Sequence, residues 1–316
     1  MAKKKILILG ATGFIGRNLA EFFSQNEDME VLGVFHKEKP FDYPGLKWVQ
    51  ADLTQKNKVN QVVRGADVII QAAATTSGSK DTINQPHIHT TDNAVMNSLI
   101  FRSAYEQSVS HVLFFSCSII YPPSLKNAKE SDFKADTGMH LNYFGAGWTK
   151  IYLEKMCEFY SKMGRTKYTV IRHSNNYGPY DKFDLERSHV FGATMTKVLG
   201  TQDGKIVVWG DGEEERDLLY ISDLVDFVNL TIEKQNAPFC LCNVGSGRSI
   251  SVSDLAKKII LMSGKKVAIE YDKSKPSIKT SLSLDCTKAK TEFGWNPKVA
   301  IDEGIQKTMD WLQANN

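Results

Sequence analysis

Short apolar runs alternate with longer amphipathic stretches through the first half of the chain. Residues 5–9 and 30–35 are mostly apolar, and the first run ends at a glycine. Such runs are typical of strands buried on both faces of a parallel sheet. The same pattern predicts further strands at 48–51, 67–74, 111–115 and 168–172, with helices at 17–23 and 93–106. Strands that alternate with helices predict an α/β fold, a doubly wound parallel sheet of the Rossmann type with ligands at its carboxyl edge.

The second half of the chain has shorter elements. Its periodicity predicts helices at 150–163, 224–233, 252–262 and 301–312, with strands at 239–244 and 266–271. We therefore expect a main domain in residues 1–173 and a second, smaller α/β lobe, mainly in residues 174–316, that closes over a cleft. Residues 240–243 also fit a strand that returns to the main sheet.

A glycine-rich turn follows the first predicted strand and precedes the first predicted helix. It reads Gly10-Ala-Thr-Gly13-Phe-Ile-Gly16. Gly10 permits the tight turn, Gly13 lets a pyrophosphate approach the backbone, and Gly16 lets helix and strand pack closely. The order strand, turn, helix predicts a dinucleotide site. Its predicted contacts in this turn are Gly10, Thr12, Gly13, Phe14, Ile15 and Gly16.

The ends of the next strands supply the remaining cofactor candidates. The second strand ends in Phe35-His36-Lys37, where NAD-binding folds usually place an acid, so NADP is favoured and NAD stays possible. His36 and Lys37 also fit an exposed loop. Asp52, beside Leu53, is predicted either to read the adenine or to cap the next helix. Ala72, Ala73 and Ala74 are small enough to let a cofactor lie against the backbone.

Composition narrows the class of protein. The 316 residues are 42% hydrophobic and 24% charged, which is typical of a soluble globular protein. The net charge of +3 is scattered, so no nucleic-acid partner is expected. No apolar run approaches the roughly 18 residues of a membrane span, and the short run that ends at Gly10 is no signal peptide, so a cytoplasmic protein is expected. Five cysteines without paired Cys-x-x-Cys spacing predict no metal site, and they fit small buried side chains.

Several motifs together resemble the extended short-chain dehydrogenase/reductases, the NAD-dependent epimerase/dehydratase family, and most closely the GDP-L-fucose synthase branch. The resemblance covers nearly the whole chain. Besides the glycine turn, it rests on Ser116-Cys-Ser-Ile-Ile-Tyr-Pro122 and on Lys150 in its helix. Further motifs are Asn175-Asn-Tyr-Gly-Pro-Tyr-Asp-Lys-Phe183, Ser188-His-Val190, Val207-Val-Trp-Gly-Asp-Gly212, Arg216-Asp-Leu-Leu-Tyr-Ile-Ser-Asp223, Ser274-Lys-Pro-Ser-Ile-Lys279 and Phe293-Gly-Trp-Asn-Pro297.

The resemblance implies roles for individual residues. Lys150 would orient the nicotinamide ribose, and residues 173–176, with His173, Asn175 and Asn176, would line the cofactor or the sugar. His189 corresponds to the active-site acid of the family. Lys197, Trp209, Arg216 and Lys279 would face the nucleotide diphosphate, which positive charge suits. Each has a simpler interpretation as a core, ion-paired or satisfied polar residue.

The chain departs from the family pattern at three positions. The tyrosine that moves a proton in the family falls on Ala146, four residues before Lys150. The family's proton-relay hydroxyl falls on Cys117, with Ser118 beside it, and the epimerisation cysteine falls on Ile119. Ala146 is interpreted as the replacement of an original tyrosine. Tyr143 is an alternative phenol, although it lies about 10 Å along the helix axis from Lys150 and before the regular helix that Gly145 delays.

The resulting functional prediction is an NAD(P)-dependent oxidoreductase acting at C4 of a nucleotide-linked sugar, GDP-linked by resemblance. A fucose-synthase-type epimerase-reductase is an alternative, which Ile119 disfavours. A catalytically silent protein that binds NADP or a nucleotide sugar is another, to which Ala146 gives weight. Helices at 93–106 and 150–163 predict a homodimer through a four-helix interface, as the resemblance implies, or else a solvated face.

Overall fold

A computed structural model describes residues 2–75, 85–136, 138–185, 188–275, 277 and 279–315. Seven parallel strands form its main sheet in the order β10-β6-β5-β4-β1-β2-β3. The strands are β1 (Lys4–Leu9), β2 (Met29–Phe35), β3 (Leu46–Gln50), β4 (Val68–Gln71), β5 (His111–Cys117), β6 (Lys167–His173) and β10 (Phe239–Val244). The strand order reverses between β1 and β4, which is where doubly wound sheets bind ligands at their carboxyl edge.

Helices cover both faces of this sheet, because alternate side chains of each buried strand point to opposite faces. Ile6 and Ile8 pack with α1 (Phe14–Ser24), α6 (Ile221–Lys234) and α8 (Thr287–Phe293). Leu7 and Leu9 pack on the other face. That face is covered by α2 (Lys56–Val63), α3 (Thr91–Glu106) and α4 (Phe144–Met163). The two apolar layers thus fix the sheet between its helices, and with it the carboxyl edge of the strands.

The second half of the chain adds two small sheets and a third core. One sheet has the order β11-β9-β7 and the other pairs β12 with β8. Their strands are β7 (Asn175–Tyr177), β8 (Lys205–Trp209), β9 (Glu215–Tyr220), β11 (Ser249–Ser251) and β12 (Ala268–Asp272). The helices of this part are α5 (Val190–Gly200), α7 (Val252–Ser263) and α9 (Ile301–Asn315). Tyr177, Met195, Leu255 and Ile305 lie in their shared core.

The predicted fold class, a doubly wound parallel sheet, is confirmed, and the differences concern boundaries and short elements. Strand β4 ends at Gln71, three residues before the predicted end, and β10 returns to the main sheet beside β6. The periodicity did not reveal β7, β8, β9, β11, α5 or α8. Most are too short for a periodic signal, and α5 has apolar residues on several sides. Within the described part of the chain, no helix combines the length and apolar character needed to cross a membrane.

Candidate active site

The glycine turn is built by backbone contacts. Gly10 has φ +75°, which glycine adopts without strain, and a Cβ there would lie 2.6 Å from Cα of Ala73. A Cβ on Gly16 would collide with the carbonyl oxygen of Gly10. Gly13 is exposed and caps the amino terminus of α1. The turn therefore leaves an open helix amino terminus at the strand edge, the arrangement that accepts a pyrophosphate.

The other turn residues surround this opening. Thr12, Phe14 and Ile15 are half-buried. The backbone of Ala72 and Ala73 lies against Gly10, and Ala72 N donates to Leu9 O. Ala74, beyond the end of β4, is exposed. The predicted residues of β1, α1 and β4 are thus adjacent. They form a cradle of small residues in which the pyrophosphate of a dinucleotide can approach the protein backbone.

The candidate residues after β2 and β3 lie at the same edge. His36 and Lys37 are exposed just beyond β2. The Asp52 carboxylate accepts bonds from Thr54 N at 3.0 Å and from the Gln55 side chain at 2.8 Å. The Thr54 hydroxyl lowers the pKa of Asp52 to about 2. Asp52 is not the helix cap, because the cap position is Gln55 and Asp52 instead closes the turn before it. Leu53 is buried in the core.

Lys150 lies at the carboxyl end of β5. Its Nζ donates to the carbonyl oxygen of Phe115 at 2.7 Å and is 4.9 Å from the centre of the Phe114 ring. Burial lowers the pKa of Lys150, and the charges of Cys117 and Glu154 act on this pKa in the opposite direction. Burial likewise raises the pKa of the Cys117 thiol. A desolvated cation thus faces the end of the strand that follows β4 in the sheet.

A buried ion pair fixes the helix that carries Lys150. Glu154, one turn later, binds Arg172 of β6, with Nη2 and Oε2 2.6 Å apart and both side chains 4% exposed. The Ser116 hydroxyl donates to Glu154 Oε1 at 2.5 Å. Arg172 Nη1 donates to the Tyr121 hydroxyl at 2.9 Å, and that hydroxyl donates to Asn243 Oδ1 at 2.8 Å. The network joins α4 to β5, β6 and β10 directly beneath the site.

An inner pocket begins at Ser118, directly after the carboxyl end of β5. Its lining includes Ser118, Ile119, Tyr143, Asn175 and Arg216. Ser118 is buried, while Tyr143, Asn175 and Arg216 are half-buried. The position of Ile119 in this lining means that an apolar side chain stands where the resemblance puts a proton-exchanging cysteine. Ala146 is half-buried in the first turns of α4 and has no proton to move.

Three further predicted residues lie near Lys150 or near one another, because Lys150 and His189 both act on the pKa of His173, which is bonded to Asn176. His173 ends β6, with Nδ1 2.7 Å from Ser174 O and 2.9 Å from Asn176 Nδ2. Burial lowers the pKa of His173 to about 4. His189, at the start of α5, is exposed as a residue, while desolvation of its imidazole, followed by the charges of Lys182, Arg216 and His89, lowers its pKa. A perturbed pKa is frequent among functional residues.

An outer cavity of about 440 Å³ lies in the smaller part of the fold. Lys197 and Trp209 line it together with Leu185. Lys197 Nζ is 5.7 Å from the Trp209 ring centre and donates to Val207 O at 2.7 Å. Lys279 instead pairs with Asp211 at 2.8 Å, and Arg216 belongs to the inner pocket. The four residues predicted to face the diphosphate therefore divide between two cavities and an ion pair. Pro276 and Ile278, which precede Lys279 in the same motif, lie outside the described residues.

The structure also reveals residues that the sequence analysis did not single out. Glu154 and Arg172 are buried and paired, and their only sequence signal is a charge inside an apolar helix face or strand. Asp217, which follows Arg216, accepts from Ser246 N at 2.8 Å and from Leu284 N at 3.1 Å. Both Arg216 and Asp217 belong to the lining of the inner pocket, and Asp217 also holds the loops of Ser246 and Leu284 in place.

The fold and this edge are those of an α/β protein of the dinucleotide-binding Rossmann class, with a further cavity in its smaller part. Residues 6–245 match the profile of the NAD dependent epimerase/dehydratase family. The chain belongs to this family, as the sequence motifs indicated. This is a family of enzymes, and its match together with the curated relatives supports an oxidoreductase or epimerase.

Curated relatives and solved structures agree with this assignment. The chain is 29% identical to GDP-L-colitose synthase of Yersinia pseudotuberculosis, over 98% of this chain and 97% of that protein. It is 26% identical to GDP-L-fucose synthase of Escherichia coli strain K12, over 100% and 98%. UDP-glucose 4-epimerase of Thermotoga maritima, solved with UDP-glucose, has the same fold, with a TM-score of 0.87 at 23% identity over 98% of this chain and 99% of that chain.

Proposed function

We propose that this protein is an NAD(P)-dependent oxidoreductase that acts at C4 of a nucleotide-linked sugar, with a GDP-linked sugar as substrate. The observation that carries the proposal is the position of Lys150. Its ammonium group is held by Phe115 O at the carboxyl end of β5, and β4 alone separates β5 from β1 and its glycine turn. A pyrophosphate on the turn and a ribose at Lys150 would then belong to one extended dinucleotide.

The fit of the cofactor rests on the residues of the turn. A side chain at Gly10 or Gly16 would collide with neighbouring backbone and distort the turn, and the exposed Gly13 leaves the amino terminus of α1 accessible. When bound, the dinucleotide would supply or accept the hydride. Exposed His36 and Lys37 after β2 support NADP over NAD, because a cation there attracts a 2′-phosphate that an acid would repel. Asp52 is proposed to face the adenine end.

The outer cavity is the proposed site of the nucleotide. Trp209 offers a flat face to a base, and Lys197 offers a positive charge beside it. Arg216 of the inner pocket is proposed to hold the diphosphate, with Lys279 near the entrance. The sugar would then reach Ser118, Asn175 and His189. The choice of GDP rests on the relatives that make GDP-L-colitose and GDP-L-fucose.

A second candidate function is a catalytically silent nucleotide-sugar or NADP-binding protein. The observation that favours it is Ala146, which places a methyl group at the position where the family pattern has a phenol. A fucose-synthase-type epimerase-reductase is less favoured, because Ile119 lines the inner pocket and cannot exchange a proton.

Two helices also offer a surface for a second copy of the chain. Val95 of α3 is 40% exposed, and Tyr152, Phe159 and Met163 of α4 are 47%, 52% and 53% exposed. Large apolar side chains at this exposure are typical of interfaces. We propose a homodimer through these helices, which sedimentation equilibrium would test against a monomer.

The main proposal is tested by ligand binding and by turnover. Titration calorimetry with NADPH, NADH and GDP-, UDP-, CDP- and dTDP-sugars should show tight binding of NADPH and of a GDP-sugar. Lys150→Met should weaken dinucleotide binding, while the exposed-residue control Lys155→Met should not. Turnover is followed by nicotinamide absorbance with 4-keto and 4-hydroxy GDP-sugars. Binding without turnover in the parent chain and in Ala146→Tyr would favour the silent protein.

A further inference from the structure

Tyr143 is the residue that the active-site geometry singles out beyond the family pattern. It ends a short 3₁₀ turn, Leu141–Tyr143, directly before α4. The turn is held locally, since Tyr143 N donates to His140 O at 2.8 Å and Asn142 N donates to His140 Nδ1 at 3.2 Å. Because the chain has not yet entered the regular helix, Tyr143 does not follow the helical spacing that would separate it from Lys150 by two turns.

The turn directs Tyr143 into the inner pocket. Its side chain lines that pocket with Ser118, Asn175 and Arg216. The Arg216 guanidinium and the Cys117 thiol are both close enough to act on the pKa of Tyr143. Cys117 is the last residue of β5, two residues after the carbonyl group that holds Lys150. A half-buried phenol therefore lies at the junction of the proposed sugar site and the proposed nicotinamide site.

The charge state of this phenol suits proton donation. Burial raises the pKa of Tyr143 above its ordinary value of 10, and Arg216 acts in the opposite direction. The phenol is therefore protonated at neutral pH. A protonated group can act as the acid of a carbonyl reduction, whereas the reverse oxidation needs a base.

We propose that Tyr143 is the proton donor of this enzyme, in place of the phenol that is absent at position 146. The proposal rests on the proposed function and adds a direction to it, the reduction of a 4-keto sugar. The C4 carbonyl carbon accepts a hydride from the reduced nicotinamide dinucleotide, which is oxidised, and the carbonyl π bond becomes a lone pair on oxygen. That oxygen takes the phenolic proton of Tyr143, and the phenolate regains a proton from water.

The activity test compares two tyrosine positions. Tyr143→Phe keeps the ring and should lower the rate of 4-keto-sugar reduction about 100-fold, within the usual range for a proton-transfer group. In the Ala146→Tyr background the same change should cost less than about threefold, because a second donor is present. Tyr271→Phe, a 42% exposed tyrosine on β12, is the matched control and should leave the rate unchanged.

A spectroscopic test does not depend on turnover. The ultraviolet pH titration of the parent chain minus that of Tyr143→Phe reports the ionisation of this phenol alone. Its midpoint should lie above 10 and rise further in Arg216→Gln, while Arg216→Lys should restore it. If the midpoint stays the same when Arg216 is substituted, the phenol does not lie beside Arg216 in the pocket, and the proposal is overturned.

The outcomes separate this proposal from the function on which it rests. If the parent chain binds no dinucleotide, both fail. If it binds NADPH and the sugar nucleotide but Tyr143→Phe turns over like the parent, Tyr143 is not the donor and the proposed function stands. Loss of turnover in Cys117→Ser but not in Tyr143→Phe would also overturn the proposal, by assigning the proton to the thiol.

Discussion

The glycine turn and the inner pocket share one edge of the sheet but are built differently. In the turn, Gly10 and Gly16 are required because neighbouring backbone atoms occupy the space of any side chain. In the pocket, the side chains of Ser118, Tyr143 and Arg216 come from three separate segments of the chain. A site made of backbone cannot change residues without changing the fold. A site made of side chains can change one of them while the fold remains.

Removal of Glu154 should give the largest effect, because it breaks the side-chain network that supports the pocket. Glu154→Leu leaves the Arg172 guanidinium buried without its anion, which should cost about 3–5 kcal/mol in the free energy of unfolding. Urea denaturation measures this. Glu158→Leu, on the same helix, removes the exposed pairs with Lys155 and Lys162 and should cost less than about 1 kcal/mol. Equal losses would show that the network does not support α4.

A methyl group on the turn should break the backbone-built region. Gly16→Ala forces apart Gly10 and α1, so it should destabilise the fold by about 1–3 kcal/mol and abolish dinucleotide binding. Gly13→Ala is the matched control, since its Cβ would meet Gly10 O at an acceptable 3.4 Å. We expect it to weaken NADPH binding with less than about 1 kcal/mol lost in unfolding. Calorimetry and urea denaturation together separate the two effects.

This contrast explains how much the sequence could predict. The strands of the main sheet and the glycine turn are readable because local rules dictate them: buried strands need apolar runs, and the turn needs glycine. Lys150 was found through its motif. The position of Tyr143 in the inner pocket could not be predicted, because helical spacing counted from Lys150 does not apply inside a 3₁₀ turn. The division of Lys197 and Arg216 between two cavities depends on tertiary packing that no local pattern encodes.

Asp181, a buried carboxyl group, predicts a pH dependence of stability. It follows Tyr180, whose ring lies 3.8 Å from the Arg17 guanidinium just after the glycine turn. Its side chain is buried, Oδ2 has no hydrogen-bond partner among the described residues, and burial raises its pKa from 3.8 to about 7. The folded state binds the Asp181 proton more tightly than the unfolded state does. The contribution of Asp181 to stability is therefore fully present below about pH 4 and is lost as the pH rises through about 7.

Asp181→Asn should therefore stabilise the protein at alkaline pH and not at acid pH. The amide resembles the protonated acid, so the gain should grow between about pH 4 and pH 7 and reach about 1–3 kcal/mol above that range. Urea denaturation over this pH series measures it. Asp310→Asn, an exposed change on α9, should show no such slope. A gain that is the same at every pH would mean that the carboxyl group does not titrate on folding.

The smallest expected effect concerns the selection between NADPH and NADH by Lys37. Lys37 is exposed at the end of β2, so its attraction for a 2′-phosphate is screened by water and contributes about 0.2–1 kcal/mol. Lys37→Asp reverses that charge and should lower the NADPH-to-NADH affinity ratio by about two- to tenfold, measured by calorimetry at low salt. Lys47→Asp, on β3 beside Glu30, is the charge-matched control and should leave the ratio unchanged. If Lys37→Asp also leaves the ratio unchanged, the residues after β2 do not select the cofactor, and NADP preference would then have to arise from the backbone-built turn itself.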